Sequence, residues 1–229
     1  MNHTPCTVRG ARTRARLLAA AEQVFESVDY HEASVARITE TAGTGLGTFY
    51  LYFAGKQEIF DEVVEDLNRR VRHAMARAAA VEETRSGAER AGFRAFFRFA
   101  AEHPALYRII RQAEFVSPGA LRLHYTRIVE ACTAGLRAAQ AAGEVRPMDP
   151  EVAAWALMGI GEMVGLRWVL WEAGTGAPAD GSRELPEHVL DEVMEFVGRA
   201  LAPGSDPVST AQHACDGPRE DRREEDADG

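Results

Sequence analysis

The sequence predicts an all-α fold of about nine helices, with a small N-terminal three-helix unit followed by a larger C-terminal helical bundle. Three observations carry this expectation. Apolar residues recur at helical spacing through almost the whole chain as far as residue 201. Cap residues and X-Pro pairs mark one helix start after another. No segment shows the period-two alternation of a half-buried strand. Hydrophobic residues make up 46% of the 229 positions, enough to build a sizeable core.

The first helix is expected over Arg12 to Ser27, where Leu17, Leu18, Ala21, Val24, Phe25 and Val28 form one apolar face. Ser34 caps a short second helix, Val35 to Ala42. Gly43-Thr44-Gly45 breaks it, and a third short helix runs from Leu46 to Tyr52. After Phe53-Ala54-Gly55 a long fourth helix runs from Lys56 to Val81 on an inner stripe of Ile59, Phe60, Val63, Leu67 and Val71. Ser86-Gly-Ala-Glu89 reads as a capping box opening a fifth helix, which carries Phe93, Phe96, Phe97 and Ala100 on one face. His103-Pro104 opens a sixth, to Phe115. Ser117-Pro118 opens a seventh, to Gly143, with Tyr125, Ile128, Cys132, Leu136 and Ala139 as its stripe. Asp149-Pro150-Glu151 starts an eighth, to Glu172. Ala173 to Glu184 read as a loop, and Pro186 opens a ninth helix, to Leu201. Residues 203–229 are rich in Pro, Asp and Glu and read as a disordered acidic tail. The expected division is therefore a flexible basic arm (1–11), a three-helix unit (12–55), a helical bundle (56–202) and the tail.

Charge and cysteine usage narrow the class. The net charge is −9. The tail holds eight acidic and three arginine side chains, so much of the negative charge lies there. Arg9, Arg12, Arg14 and Arg16, with no acid between them, make the N-terminal end basic. Cys6, Cys132 and Cys215 are far apart and form no metal-ligand or disulfide spacing, so a reducing, cytoplasmic setting and no metal are expected. The N-terminal stretch has no apolar signal core. Val152 to Trp171 is the most apolar segment, but Glu162 and Arg167 interrupt it, and a buried helix is expected rather than a membrane span. None of the seven histidines lies three residues after a Glu, and no phosphate loop or nucleophile elbow occurs. An enzyme is not expected, and no cofactor is implied.

Two short helices separated by three residues, with glycine at the break, read as a helix-turn-helix. Gly43 permits the positive φ of a tight turn. Ile38 and Ala42 face inward, Phe49 and Phe53 pack behind, and the second helix of the pair is left free for a DNA major groove. Residues 34–56, SVARITETAGTGLGTFYLYFAGK, resemble the signature of the TetR family of regulators. The resemblance rests on Ser34, Ile38, Ala42, Gly43, Gly47, Thr48, Phe49, Tyr50, Tyr52, Phe53 and Lys56, and extends over residues 12–70. Thr39, Thr44, Gly45 and Asp29 depart from the usual pattern. Asp29 replaces a glycine at the end of the first helix, where a left-handed conformation is expected.

Site roles follow from chemistry with this resemblance beside it. Ser34, Tyr50, Tyr52 and Lys56 are expected phosphate contacts, Lys56 at a helix N-terminus where an anion is favoured. Gly45 lets the backbone approach a phosphate. Thr44, Leu46, Thr48 and Arg37 are the expected base readers, through hydroxyl and apolar contacts. Arg12, Arg14 and Arg16 are candidates for phosphates or a minor groove.

In the bundle, Val152 to Trp171 is apolar nearly all round and must pack on two sides. Its two faces are Leu157, Gly161, Val164, Trp168 and Trp171, and Trp155, Met158, Gly159, Leu166 and Val169. Val189, Val193, Phe196 and Ala200 line the ninth helix. The resemblance implies a homodimer in which these last two helices pair across a two-fold axis, matching a palindromic double-stranded DNA operator. A ligand pocket between the bundle helices is expected, lined by Phe93, Phe97, Tyr107, Phe115, Tyr125, Cys132, Trp155, Met158 and Trp168. Arg108, Arg111, Arg122 and His124 are candidates to meet an anionic group. The effector class so implied is apolar with an acidic or phosphate head, such as an acyl or aryl thioester. The sixth helix is expected to abut the first and fourth and relay occupancy. The competing reading is a DNA-binding structural or cell-division protein of the same fold that senses no small molecule.

Overall fold

The computed structural model describes residues 7–171 and 184–203, and all regular structure among them is helical. The elements are α1 (Val8–Ser27), α2 (Val35–Thr41), α3 (Leu46–Phe49), α4 (Lys56–Ala79), α5 (Arg85–Glu102), α6 (Ala105–Val116), α7 (Pro118–Ala141), α8 (Pro150–Gly165), a π-helical turn continuing it (Leu166–Trp171), and α9 (Glu187–Leu201). The expected acidic tail and most of the Ala173–Glu184 loop lie outside the described residues.

Several boundaries move, each for a local reason. Helix α1 begins four residues before the expected Arg12, because the Thr7 hydroxyl caps it by accepting from Gly10 N at 3.1 Å. Residues 8–11 are therefore helix rather than arm. At its other end Val28 is extended (φ −138°) and no non-glycine residue among those described has positive φ, so Asp29 does not take the left-handed role. Helix α3 stops at Phe49, three residues short of Tyr52. The α5 cap is Thr84, whose hydroxyl accepts from Gly87 N at 3.1 Å, rather than the Ser86–Glu89 box. Glu89 instead pairs with Arg85, one turn before it. Asp149 caps α8 as expected, accepting from Glu151 N and Val152 N. Ile38, Phe49, Phe53 and the α4 stripe are all buried, as their spacing predicts.

The three-helix unit packs on α4, and α6 lies against both α1 and α4, so α6 touches the unit directly. The rest forms a bundle in which α5 packs on α4 and α8, and α7 on α4 and α8. Helix α9 lies along α5, where Arg90 and Arg94 face Glu187 and Asp191. Pro150–Trp171 is long and apolar enough by composition to cross a membrane. It carries Glu162 and packs between α5 and α7, in keeping with a bundle helix. Its expected burial on two sides is only half met within one chain. Leu157, Gly161, Gly165, Leu166 and Val169 are buried, while Val152, Trp155 and Met163 are exposed.

Candidate nucleic-acid interface and bundle cavity

The turn between α2 and α3 is fixed from three directions. Gly43 adopts φ +60°, the left-handed conformation that a side chain would strain. Ser34 Oγ accepts from Arg37 N at 3.1 Å and caps α2. Arg16 reaches over from α1 and donates to Ala42 O at 3.0 Å and Gly43 O at 3.3 Å, placing a cation on the C-terminal carbonyls of α2. Behind α3, Phe49 and Phe53 are fully buried, with ring centroids 5.5 Å apart. What remains outward is the face of α3 and its flanks. Leu46 is 51% exposed, Tyr50 54% and Leu51 67%. Nothing lies within 4 Å of a Cβ built on Gly45 or Gly47. Thr48 is half-buried on the same short helix. The result is a projecting, side-chain-poor ridge on a rigid base, which a major groove can accept.

The expected contacts divide into exposed and engaged side chains. Arg37, Leu46 and Tyr50 are exposed, and so is Ser34, although its hydroxyl already serves as a cap. Arg12 is also exposed at the start of α1. Thr44 is half-buried, and its Oγ1 is buried without a hydrogen-bond partner in the isolated chain. Tyr52 is turned partly inward and packs against the core, so it is an element of the base more than of the ridge. Lys56 departs most from expectation. Its Nζ donates to Tyr30 O at 2.6 Å and Ala33 O at 2.7 Å and lies 4.3 Å from the centre of the Tyr30 ring. Two of the three ammonium donors are thereby used on carbonyls of the α1–α2 connection. The α4 N-terminus also holds a carboxylate already, since Glu58 accepts from Ala54 N. Arg14 and Arg16 are likewise engaged inside the protein. Arg14 pairs with Glu62 and lies over the Phe53 ring, 5.1 Å from its centre.

Reading the residues in order misses the joint between this unit and the bundle. Gln112 on α6 donates to Phe25 O at 3.0 Å and accepts from Tyr30 N at 2.8 Å. Arg108 donates to Glu26 O at 3.1 Å. Arg108 is thus a clamp on the end of α1 rather than an anion receptor. A second joint is buried between α4 and α7. Asn68 Nδ2 donates to His124 O at 2.9 Å and lies 3.1 Å from His124 Nδ1, while Arg72 Nε donates to Asn68 Oδ1 at 2.9 Å. Burial and then Arg72 push the His124 imidazole down to about 4, so it is a neutral structural group and no anion site.

The bundle holds a cavity of about 60 Å³, lined by Phe93, Phe96, Ile128, Val129, Leu157 and Met158 with Gly161. Of the expected pocket residues, Phe93, Met158 and Cys132 line it, and Phe97 stacks on Phe93 at 5.9 Å. Tyr107 is buried and half-buried Tyr125 lies 6.4 Å from Trp155, ring centre to ring centre. Trp155 is 46% exposed, and half-buried Trp168 carries Arg167 over its ring. Phe115 is not part of this interior. It is 82% exposed, because it falls on the outer face of the last turn of α6. The cavity offers room for about two waters, so an acyl or aryl body requires it to widen. Flexible Met75 and Met158 in its wall make that feasible. No group of three or more potential metal ligands occurs among the described residues.

An exposed ridge on a capped helix-turn-helix, joined by α6 to a separate helical bundle, defines a DNA-binding regulator fold. Residues 17–63 match the model of the bacterial regulatory proteins of the tetR family. The transcriptional regulator YdgC of Bacillus subtilis is 42% identical over 64 residues, covering 28% of this chain and 33% of that protein. The transcriptional activator FasR of Mycolicibacterium smegmatis is 32% identical over 124 residues, covering 52% and 55% respectively. The matches thus span from a third to just over half the length of these curated relatives. A TetR-family regulator from Syntrophomonas wolfei superposes with a TM-score of 0.69 at 20% identity, over 86% of this chain and 98% of that one. The fatty acid degradation regulator FadR of Bacillus halodurans does so with 0.66 at 19%, over 84% and 95%. These last two likenesses speak to the fold.

Proposed function

We propose that this protein is a ligand-responsive transcriptional regulator of the TetR family, a repressor that binds a palindromic operator as a homodimer in the cytoplasm and is released by a small apolar effector. The observation that carries the reading is the projecting face of α3, Leu46 to Tyr50, held on a buried Phe49–Phe53 base by the Gly43 turn. Arg37, Leu46, Thr44 and Thr48 read bases on this view; Tyr50, Ser34 and the backbone at Gly45 contact phosphate. Lys56 acts by holding the α1–α2 connection, and Tyr52 by supporting the ridge.

Dimerisation through α8 and α9 is supported by what one chain leaves uncovered. Val152, Ala156, Gly159 and Met163 are all exposed and, at helical spacing, share one stripe of α8. Phe196 on α9 is 65% exposed. Burying such a stripe against its two-fold mate removes apolar area from water and spaces two ridges for successive major grooves. The effector reading rests on the bundle cavity and on α6, which touches the bundle, α1 and α4. A ligand that favours one arrangement of α6 shifts the population of ridge spacings.

The test is binding of the purified protein to the DNA upstream of its own coding sequence against scrambled DNA, across a salt series. The expected result is salt-dependent, sequence-selective binding that Tyr50→Ala and Arg37→Ala abolish while the fold persists. Equal binding to both DNAs, with no site enriched from genomic fragments, overturns the regulator reading.

A further inference from the structure

A cluster of polar side chains lies one helical turn beyond the apolar cavity, and its chemistry is not that of an anion receptor. The Tyr107 side chain is 2% exposed, and its hydroxyl is buried with no hydrogen-bond partner. The ring is held edge-on to Phe96 at 6.3 Å. Its hydroxyl end presses on the backbone of Gly165, where an added Cβ would collide with it. Gly165 and the cavity-lining Gly161 are four residues apart and share one face of α8, so the bare backbone between them connects cavity and hydroxyl. Glu162 stands beside them, half-buried, with the Tyr125 hydroxyl and the guanidinium of Arg111 as polar neighbours. Burial outweighs both neighbours and raises the Glu162 carboxyl above its ordinary range. The same carboxylate, after burial, raises both tyrosines, Tyr125 to about 12. Arg111 is exposed on α6 and does not seal the carboxylate from within.

The opposite end of the cavity is already balanced in charge, although Arg85 Nε has no hydrogen-bond partner. Glu89 lines it and is paired with Arg85, which packs against Gly135. An anionic head entering there displaces an internal carboxylate from its partner. A cationic head at Glu162 meets a carboxylate that lacks a full counter-charge and a hydroxyl that lacks any partner.

We propose that the effector carries a primary ammonium or an equivalent cationic hydrogen-bond donor, held by Glu162 with the Tyr107 and Tyr125 hydroxyls, on an apolar body lying between Phe93 and Met158. This rests on the effector reading above and replaces the acidic head that the arginines of α6 and α7 suggest. Tyr107 accepts one ammonium hydrogen through its free oxygen lone pair, and Glu162 accepts another.

The test titrates octylammonium, octanol and octanoate, below micelle-forming concentration, into the full-length protein and into Glu162→Gln and Tyr107→Phe variants. Tryptophan fluorescence reports binding, since Trp155 lies beside Tyr125. Octylammonium is expected to bind at least about tenfold tighter than octanoate, and Glu162→Gln to remove that preference, as loss of a charge-assisted pair predicts. Tyr107→Phe is expected to weaken octylammonium about threefold without lowering the melting temperature, because it removes an unpartnered buried hydroxyl. Octanoate binding as tightly as octylammonium, a preference that survives Glu162→Gln, or no binding by any probe overturns the assignment. Operator release is measured alongside. Octanoate that binds and releases the operator overturns the ammonium head and leaves the effector reading standing. A probe that fills the site and leaves operator binding untouched overturns the effector reading itself.

Discussion

The reading head and the bundle use their polar groups in opposite ways. In the head, cations that look like DNA contacts are turned inward to complete the scaffold: Arg16 onto the α2 carbonyls, Lys56 onto Tyr30 O and Ala33 O, Arg14 onto Glu62. In the bundle, polar atoms are left short of partners: the Tyr107 and Thr133 hydroxyls and Arg85 Nε are buried without one. A buried polar group without a partner costs stability, so it persists where another requirement outweighs that cost. The difference accords with a head that holds one shape and with the effector-accepting bundle proposed above. Thr44 Oγ1 is the head's one such atom among the described residues, and it sits at the turn that faces the proposed groove.

The largest expected effect sharpens the contrast between rigid base and outer surface. Phe49→Ala removes a fully buried ring from the head and should cost about 3–5 kcal/mol, read by denaturant unfolding. Phe115→Ala, at 82% exposure, should change stability by less than about 0.5 kcal/mol. Similar losses from the two would mean that the outer face of α6 is covered in the working molecule.

Next in size is a pH effect confined to the bundle. His124 has its folded pKa lowered from 6.5 to about 4, so the unfolded chain takes up its proton first as pH falls. The stability this neutral histidine allows is fully present above pH 6.5 and is lost as pH falls from there toward 4, on the order of 3 kcal/mol. Unfolding free energies measured across that window should slope upward with pH, and His124→Asn should flatten the slope. An unchanged slope in the variant would place the titration elsewhere.

These two residues also mark what the sequence could and could not convey. Phe49 was legible because a helix-turn-helix has fixed spacing: Ile38, Gly43, Phe49 and Phe53 lie within sixteen positions, and period alone sorts them into core and turn. The helix order and all but a few boundaries were legible for the same reason. His124 was not, because its partner Asn68 is 56 residues away on another helix and nothing local distinguishes it from a surface histidine. The same holds for Gln112, which reaches Phe25 and Tyr30 across more than eighty residues. Glu162 could be seen as an interruption in an apolar run, but which face it took depends on how α8 packs on α6 and α7. Phe115 lies outside the interior because an aromatic near a helix end has no neighbour on one side, and period does not reveal that.

Lys56 tests whether a head cation is scaffold or contact. Replacing it with Met removes two charge-assisted hydrogen bonds to carbonyls, and thermal or denaturant unfolding should show a loss of about 2 kcal/mol. Lys56→Arg should not restore it fully, because a planar guanidinium fits two converging carbonyls less well than a compact ammonium. A stable Met variant with weakened DNA binding would return Lys56 to the phosphate-contact role.

The smallest effect is the most discriminating. Arg16→Ala removes two hydrogen bonds at the exposed end of α2 and should cost about 1 kcal/mol of stability. It should also weaken operator binding, because the turn that aims α3 is no longer tied to α1. A phosphate contact and a positioning residue both predict weaker binding, so affinity at one salt concentration does not separate them. The salt dependence does. Each phosphate contact releases counterions and contributes a slope of about −0.9 to log K against log salt, so losing one flattens the line by about that much. Loss of a positioning residue lowers the line and leaves its slope unchanged. Arg12→Ala, on the same helix but exposed and outward, supplies the opposite pattern: unchanged stability and a flatter line. If Arg16→Ala flattens the line as Arg12→Ala does, the guanidinium leaves the α2 carbonyls on binding DNA, and the head is less fixed than its hydrogen bonds indicate.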